Sequence, residues 1–310
     1  MTIALTILLA IFVALALINL IAGRLPKRPP AEGGGVTTKH GELHYLETVG
    51  SETDGEALPI VFIHGMPGLA NEFDPVRTAI GSRHMIAFDR PGYAWSKGKP
   101  LPFAEQLDAI VEASTTLGIE RAVVVGHSFG GLAALGLAIR HPDFVDRMLL
   151  LAPAAGGTRI GEPRMRQARM IQFFELPVIR QIADLVFLRL LRRTASRQGA
   201  AASYGENPET EKQRYLAESV LARHNSIAAL ANDRLIFNDA ERLVSGNLQR
   251  IAVPSVIVHG ERDETVPLRN GKRLADALPN SSLIVVDGDH QLPSKNTAEV
   301  VAAANALLAM

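Results

Sequence analysis

Residues Val123–Leu135 read VVVGHSFGGLAAL. Three consecutive valines describe a buried strand, and the small apolar residues from Leu132 onward describe a helix. Between them, Gly126-His127-Ser128-Phe129-Gly130 leaves room for only one tight strand-to-helix turn. The glycines flank the serine two positions away on either side, where a side chain would obstruct the close approach of strand and helix. The turn lifts the Ser128 hydroxyl into the open and sets the first backbone N–H groups of the new helix beside it. This is a nucleophile elbow, supported by the strand before it and the helix after it.

Working outward, strand and helix patterns alternate from Gly41. GELHYLETVG, LPIVFIHG, MIAFDRPG, RAVVVGHS, RMLLLAP, PSVIVHG and SSLIVVDG read as strands separated by helical stretches. Apolar runs of this length indicate a mostly parallel sheet covered on both faces, an α/β architecture. In such sheets ligands and chemistry gather at the carboxyl ends of the strands. HGMPG follows IVFI at one such end: Pro67 has no N–H, but those of Met66 and Phe129 can converge on one oxyanion. Two later loops follow strands in VIVHGERDETVP and LIVVDGDHQLP. Ser128, Asp263 and His290 thus appear in the order nucleophile, acid, base. A serine hydroxyl is a poor nucleophile at neutral pH, so His290 must take its proton and Asp263 must fix the imidazole tautomer. Glu261, Glu264, Asp287 and Asp289 compete for the acid's role, and Asp263 is favoured by its place after the penultimate strand. His127 is read as packing or bonding locally, His64 and His259 as structural, and Asp89-Arg90 as a charged pair ordering a turn.

The chain of 310 residues is 47% hydrophobic, with Lys+Arg and Asp+Glu both at 32, so it can bury a large core and offers no basic footprint for nucleic acid. The absence of cysteine excludes disulfides, thiol catalysis and Cys-ligated metal. No HxxxH or carboxylate cluster suggests a metal, and no cofactor is called for. Thr2–Gly23 carries no charge and is long enough to cross a bilayer, and no basic residue precedes it as in a signal peptide. It is read as a single-pass transmembrane anchor over residues 1–23 in preference to a cleaved signal, whose pattern Ala14-Leu15-Ala16 formally fits although apolar residues continue past it, with a Pro/Gly-rich linker over 24–35. Arg24, Lys27 and Arg28 after the span place the following domain on the cytoplasmic side by the positive-inside rule.

HGMPG, FDRPGYAWS, GHSFGG, GERDETVP and GDHQLP, spread from Ile60 to about Leu292, resemble the α/β-hydrolase superfamily in composition and order. The resemblance implies an eight-stranded, mostly parallel sheet, Ser128, Asp263 and His290 as the triad, and Met66 and Phe129 as oxyanion donors. It divides the chain into a core over 36–153 and 247–310 and a helical cap over 154–246. HGMPG and DRPGY also look like epoxide hydrolases and haloalkane dehalogenases, which place an aspartate where Ser128 stands, so their ester intermediate does not carry over. The arrangement is similar to membrane-anchored monoacylglycerol lipases. It implies a serine hydrolase that cleaves a carboxylic ester, acylglycerol-like esters included, through an acyl-enzyme. Carbon-carbon bond hydrolases, amidases or peptidases and acyltransferases share the triad, and a ligand-binding receptor with little turnover is the reading from another class. Within the cap, Ile179, Ile182, Val186 and Leu190 recur at helical spacing and define an apolar face, with Arg192 and Arg193 closing the helix. That face either packs on the protein's own domain or meets a membrane or acyl chain.

Overall fold

A computed structural model describes residues 2–50, 57–204 and 211–310. Eight strands form one sheet: β1 (Gly34–Thr38), β2 (Gly41–Thr48), β3 (Ile60–Ile63), β4 (Met85–Phe88), β5 (Ala122–His127), β6 (Val145–Leu151), β7 (Ser255–Gly260) and β8 (Ser281–Val286). Their spatial order is β1-β2-β4-β3-β5-β6-β7-β8. β1 and β2 pair antiparallel and β2 joins β4 antiparallel; every other pairing is parallel. β1 lies partly within the stretch read as linker. Its Gly-Gly-Val-Thr-Thr sequence is short and weakly apolar, and pairing with β2 makes it a strand.

The central strand β5 is buried along its whole length because both faces are covered. Val124 packs into the layer that contains α3 (Phe103–Thr116) and α4 (Phe129–Arg140). Val123 and Val125 point the other way, into the layer with α2 (Asp74–Ile80) and α12 (Thr297–Leu308). Ten of the twelve residues of α4 are buried, which is why that helix has no polar face. Each large apolar side chain so enclosed contributes about 1.5–3 kcal/mol.

Between β6 and β7 the described residues are helical: α5 (Glu162–Phe174), α6 (Pro177–Ala183), α7 (Arg189–Tyr204), α8 (Glu211–Leu216) and α9 (His224–Ser245). The apolar face expected on Ile179, Ile182, Val186 and Leu190 is not the buried one. A π turn over Asp184–Leu188 inserts an extra residue into the spacing, so Ala183 and Leu188 are buried while Ile182 and Leu190 are exposed. Nor does the helix close at Arg192 and Arg193; α7 runs on to Tyr204. At the other end of the chain, α1 (Thr2–Ala22) stands largely clear of the fold. Its Ala4–Ala22 stretch of 19 residues is long and apolar enough to cross a membrane. The remaining helices, α10 (Leu268–Ala277) and α11 (Leu292–Lys295), follow β7 and β8.

Candidate active site

Ser128 is the single residue between β5 and α4, with φ 54° and ψ −117°. A positive φ at a non-glycine residue costs on the order of 1–3 kcal/mol, so the surroundings must hold it. They do: the Ser128 N–H donates to Leu151 of β6 at 2.9 Å, and its carbonyl accepts the N–H groups of Gly131 at 3.0 Å and Ala154 at 2.9 Å. The flanking glycines are required by contact. A Cβ at Gly126 would lie 2.3 Å from the Gly130 carbonyl oxygen, and one at Gly130 only 1.9 Å from that of Ile63.

His290, after β8, places Nε2 3.0 Å from the Ser128 Oγ. Its Nδ1 lies 2.7 Å from Oδ2 of Asp263, in the loop after β7. A carboxylate only accepts, so Nδ1 carries the proton and Nε2 is left to receive one from the serine. The other carboxylate oxygen of Asp263 accepts the N–H groups of Thr265 and Val266, each at 2.8 Å, which locks the acid onto its own turn. Serine, histidine and aspartate are all buried, at 5–8% exposure. The competing carboxylates lie elsewhere: Glu261 and Glu264 are exposed, Asp287 pairs with Arg262, and Asp289 with Lys295.

His127 is bonded at both ends. Its Nδ1 pairs with Glu72 in a short buried contact, and its Nε2–H donates to the backbone carbonyl of His290 at 2.8 Å. Burial alone would push its pKa down; the Glu72 carboxylate and the His290 carbonyl outweigh that, and the imidazolium is favoured. Glu72 and His127 thereby grip the main chain of the residue whose ring meets the serine. Nothing in the sequence marked Glu72, which sits in a short helical turn outside every recognisable motif.

Arg90 fixes the loop that carries Met66. It is fully buried, with its guanidinium stacked 4.7 Å from the Tyr93 ring centroid and 4.3 Å from that of Phe129. Its Nε donates to the His64 carbonyl at 3.1 Å and its Nη2 to the Gly65 carbonyl at 2.9 Å, while its own N–H donates to His64 Nε2 at 2.9 Å. Burial and the facing arginine push the His64 pKa well down, which keeps that ring a neutral acceptor. Asp89 and Arg90 do not pair with each other as the sequence suggested. Asp89 turns to His44 and the N–H groups of Ala70 and Trp95, and Arg90 reaches Asp233 of α9 at 2.7 Å. Burial forces this division, because each charge needs a full set of partners and one turn cannot supply both. His259 lies beneath the acid, with Nε2–H donating to the Val266 carbonyl at 2.7 Å.

Phe129 opens α4, so its N–H belongs to the unpaired first turn of a helix. Met66, Ser128 and His290 line the floor of a cavity of about 400 Å³. Its walls come from the helical insertion and are mostly apolar, with Ile171, Leu221, Ile227 and Leu230 among them, interrupted by Arg192 and Arg234. The arrangement sets a paired base beside the Ser128 hydroxyl at the floor of that cavity, as nucleophilic acyl transfer requires. Among the described residues no cluster of His, Asp or Glu has metal-binding geometry.

Residues 59–294 match the alpha/beta hydrolase fold family, and the chain belongs to it. It is an enzyme of the hydrolase class. Over 243 residues, 74% of this chain and 79% of the relative, it is 30% identical to 2-hydroxymuconate semialdehyde hydrolase of Pseudomonas putida. It is 25% identical to pimeloyl-[acyl-carrier protein] methyl ester esterase of Vibrio cholerae, covering 80% of this chain and 92% of that one. The enol-lactonase of Burkholderia xenovorans shares the fold with a TM-score of 0.67 at 22% identity, over 89% of this chain and all of that one.

Proposed function

We propose that this protein is a membrane-anchored serine hydrolase that cleaves carboxylic esters bearing an acyl chain, acylglycerol-like esters included. The observation that carries the reading is the continuous hydrogen-bonded line Ser128–His290–Asp263 beneath a largely apolar cavity. His290 takes the proton as the Ser128 Oγ attacks the ester carbonyl, and Asp263 stabilises the resulting imidazolium without itself taking the proton. The N–H groups of Met66 and Phe129 receive the oxyanion. The protonated His290 then gives its proton to the leaving alcohol, and a water activated by the same ring releases the acid from the acyl-enzyme. Residues 154–246 serve as the cap that closes this space, and α1 is the single-pass anchor. Arg24, Lys27 and Arg28 keep the catalytic domain on the cytoplasmic side.

A carbon-carbon bond hydrolase is the second reading. It is favoured by the Pseudomonas putida relative and by Arg192 and Arg234 in the cavity wall, which can face a substrate carboxylate. One panel separates the two: purified chain and its Ser128→Ala variant are assayed on short esters, monoacylglycerols and 2-hydroxymuconate semialdehyde. The ester reading expects multiple turnover on the esters and loss in the variant. Faster turnover of the semialdehyde than of every ester replaces it with the second reading, and a single burst without turnover removes both.

A further inference from the structure

The helical insertion exposes apolar surface where a water-facing helix would carry charge. Within residues 170–191, Phe173, Leu176, Val178, Ile182, Leu185 and Phe187 are all exposed, from 41% at Phe187 to 70% at Val178. In the described core, the large exposed apolar residues are the scattered Val49, Ile284, Val285 and the terminal Met310. A concentrated patch of this kind marks an interaction surface.

The patch is joined to α1 by a polar lock. Asn19, one turn from the end of an uncharged and mostly apolar helix, is 2% exposed. Its Nδ2 donates to the carbonyls of Asp184 at 2.6 Å and Leu185 at 2.8 Å, and its Oδ1 accepts the Leu190 N–H at 3.0 Å. The side-chain amide thus bridges backbone groups at both ends of the π turn that displaced the apolar face. A second bond runs from Arg193 Nη1 to the Ala22 carbonyl at 2.6 Å. Gly23 completes the joint: a Cβ there would lie 2.5 Å from the Leu190 nitrogen. With a rise of about 1.5 Å per residue, Asn19 lies roughly 5 Å from the helix end, so the patch is level with the last turn of α1.

Charge is placed to match. Arg189, Arg193 and Arg197 recur every fourth residue along one face of α7. Arg193 and Arg197, with Arg214 and Ala22, line a groove of about 600 Å³ beside the end of α1. The neighbouring α7 residues Ala195, Gly199 and Ala200 line the cavity over Ser128, so this helix divides the groove from the site.

We propose that the apolar edge over residues 170–191 is immersed in the bilayer interface at the level where α1 leaves the membrane. Asn19 holds it there and the α7 arginines lie against anionic headgroups. The occupant of the patch is the lipid surface itself, since the patch is continuous with a helix whose length and composition fit a bilayer and is edged by arginines that anionic headgroups would meet. The inference rests on the reading of α1 as an anchor and deepens it: the insertion becomes a lipid-immersed gate, and a substrate leaving the bilayer meets α7 first.

The native absence of cysteine makes the test direct. Val13→Cys in α1, Val178→Cys and Leu185→Cys in the patch, and Glu120→Cys on the core are each labelled with an environment-sensitive fluorophore in the full chain. The chain is reconstituted in phosphatidylcholine vesicles with and without phosphatidylglycerol, and quenching by spin-labelled lipid is compared with quenching by aqueous iodide. Labels at 13, 178 and 185 should be quenched by lipid and protected from iodide, and the label at 120 the reverse. Phosphatidylglycerol should deepen the label at 178, and Arg193→Glu with Arg197→Glu should abolish that response. Asn19→Leu should release the label at 185 while leaving that at 13 in the lipid. Lipid quenching at 13 with iodide quenching at 178 and 185 overturns the proposal and spares the anchor. Iodide quenching at 13 overturns the anchor reading. Concentration-dependent transfer between labels at 185 without lipid quenching assigns the patch to a second copy instead. An unchanged label at 185 in Asn19→Leu removes the lock.

Discussion

The loops above the sheet and the helical insertion both bury charge, but they hold it differently. Asp263 is fixed by two N–H groups from its own turn, Ser128 by the main chain of β6 and of the segment beyond it, and His290 through its carbonyl by His127. In the insertion, Arg192 pairs with Asp184 and lies 3.8 Å from Glu175, and His224 bonds both carboxylates, so the contacts run between side chains on separate helices. Backbone anchored in a sheet holds a reacting group to a fraction of an ångström. Side-chain pairs between separate helices tolerate displacement. The Ser128–His290–Asp263 line is accordingly mounted on backbone at the sheet, while the insertion is held together by side-chain pairs.

The sharpest attempt to break this contrast is Ser128→Ala. Turnover should fall on the order of 10⁶-fold, with fluorophosphonate labelling lost and the circular dichroism unchanged. Labelling that persists on another serine would move the nucleophile. Next comes Asp263→Asn, which should cost about 10⁴-fold in kcat by leaving the wrong imidazole tautomer. Asp287→Asn and Asp289→Asn, whose carboxylates face Arg262 and Lys295, should stay close to the parent; a reversed ranking would place the acid on the histidine loop.

Asp233→Ala tests a buried ion pair that ties the insertion to the core. Removing it strands Arg90 and should destabilise the fold by about 3–5 kcal/mol in urea unfolding. An unchanged urea midpoint in Asp233→Ala would show that the pair is not what couples the two regions.

Glu72→Gln should lower kcat by roughly 10–100-fold with a smaller change in KM, since it loosens the grip on the His290 main chain while the amide keeps the shape of the cavity that Glu72 helps to line; misplacement by about an ångström has effects of this size. The pair also gives stability a pH signature. The His127 pKa is raised on folding, so its contribution is complete below the unfolded value of about 6.5 and is lost as pH rises through the folded value. Midpoints of thermal unfolding should therefore fall on the alkaline side more steeply in the parent than in Glu72→Gln, and parallel curves would dismiss the charged pair.

The smallest effect is expected from deleting residues 1–23. Hydrolysis of short, soluble esters should be unaffected, while cleavage of long-chain esters in vesicles drops. The cut must stop before Arg28, whose Nη2 donates to the Ala94 carbonyl at 2.7 Å and whose guanidinium lies 5.2 Å from the Trp95 ring centroid. Equal losses on both substrates would mean that α1 serves the fold and not delivery.

Local sequence determined the parts of this protein whose physics is local. A GxSxG turn between a valine strand and a small-residue helix forces one backbone shape, and apolar runs of strand length force a buried parallel sheet. Ser128, Asp263 and His290 could be read as candidates because each closes such a strand. Tertiary structure decided what depends on distant partners. Gly34–Thr38 became a strand only by pairing with β2, and Arg90 left its neighbour Asp89 for Asp233, 143 residues away. Glu72 acquired a role only when folding brought it against His127, 55 residues on. Asn19 passed for one more residue of an apolar helix until the π turn at Asp184–Leu188 supplied groups for its amide. A buried polar side chain must find its partners wherever the fold puts them, and no spacing along the chain encodes that distance.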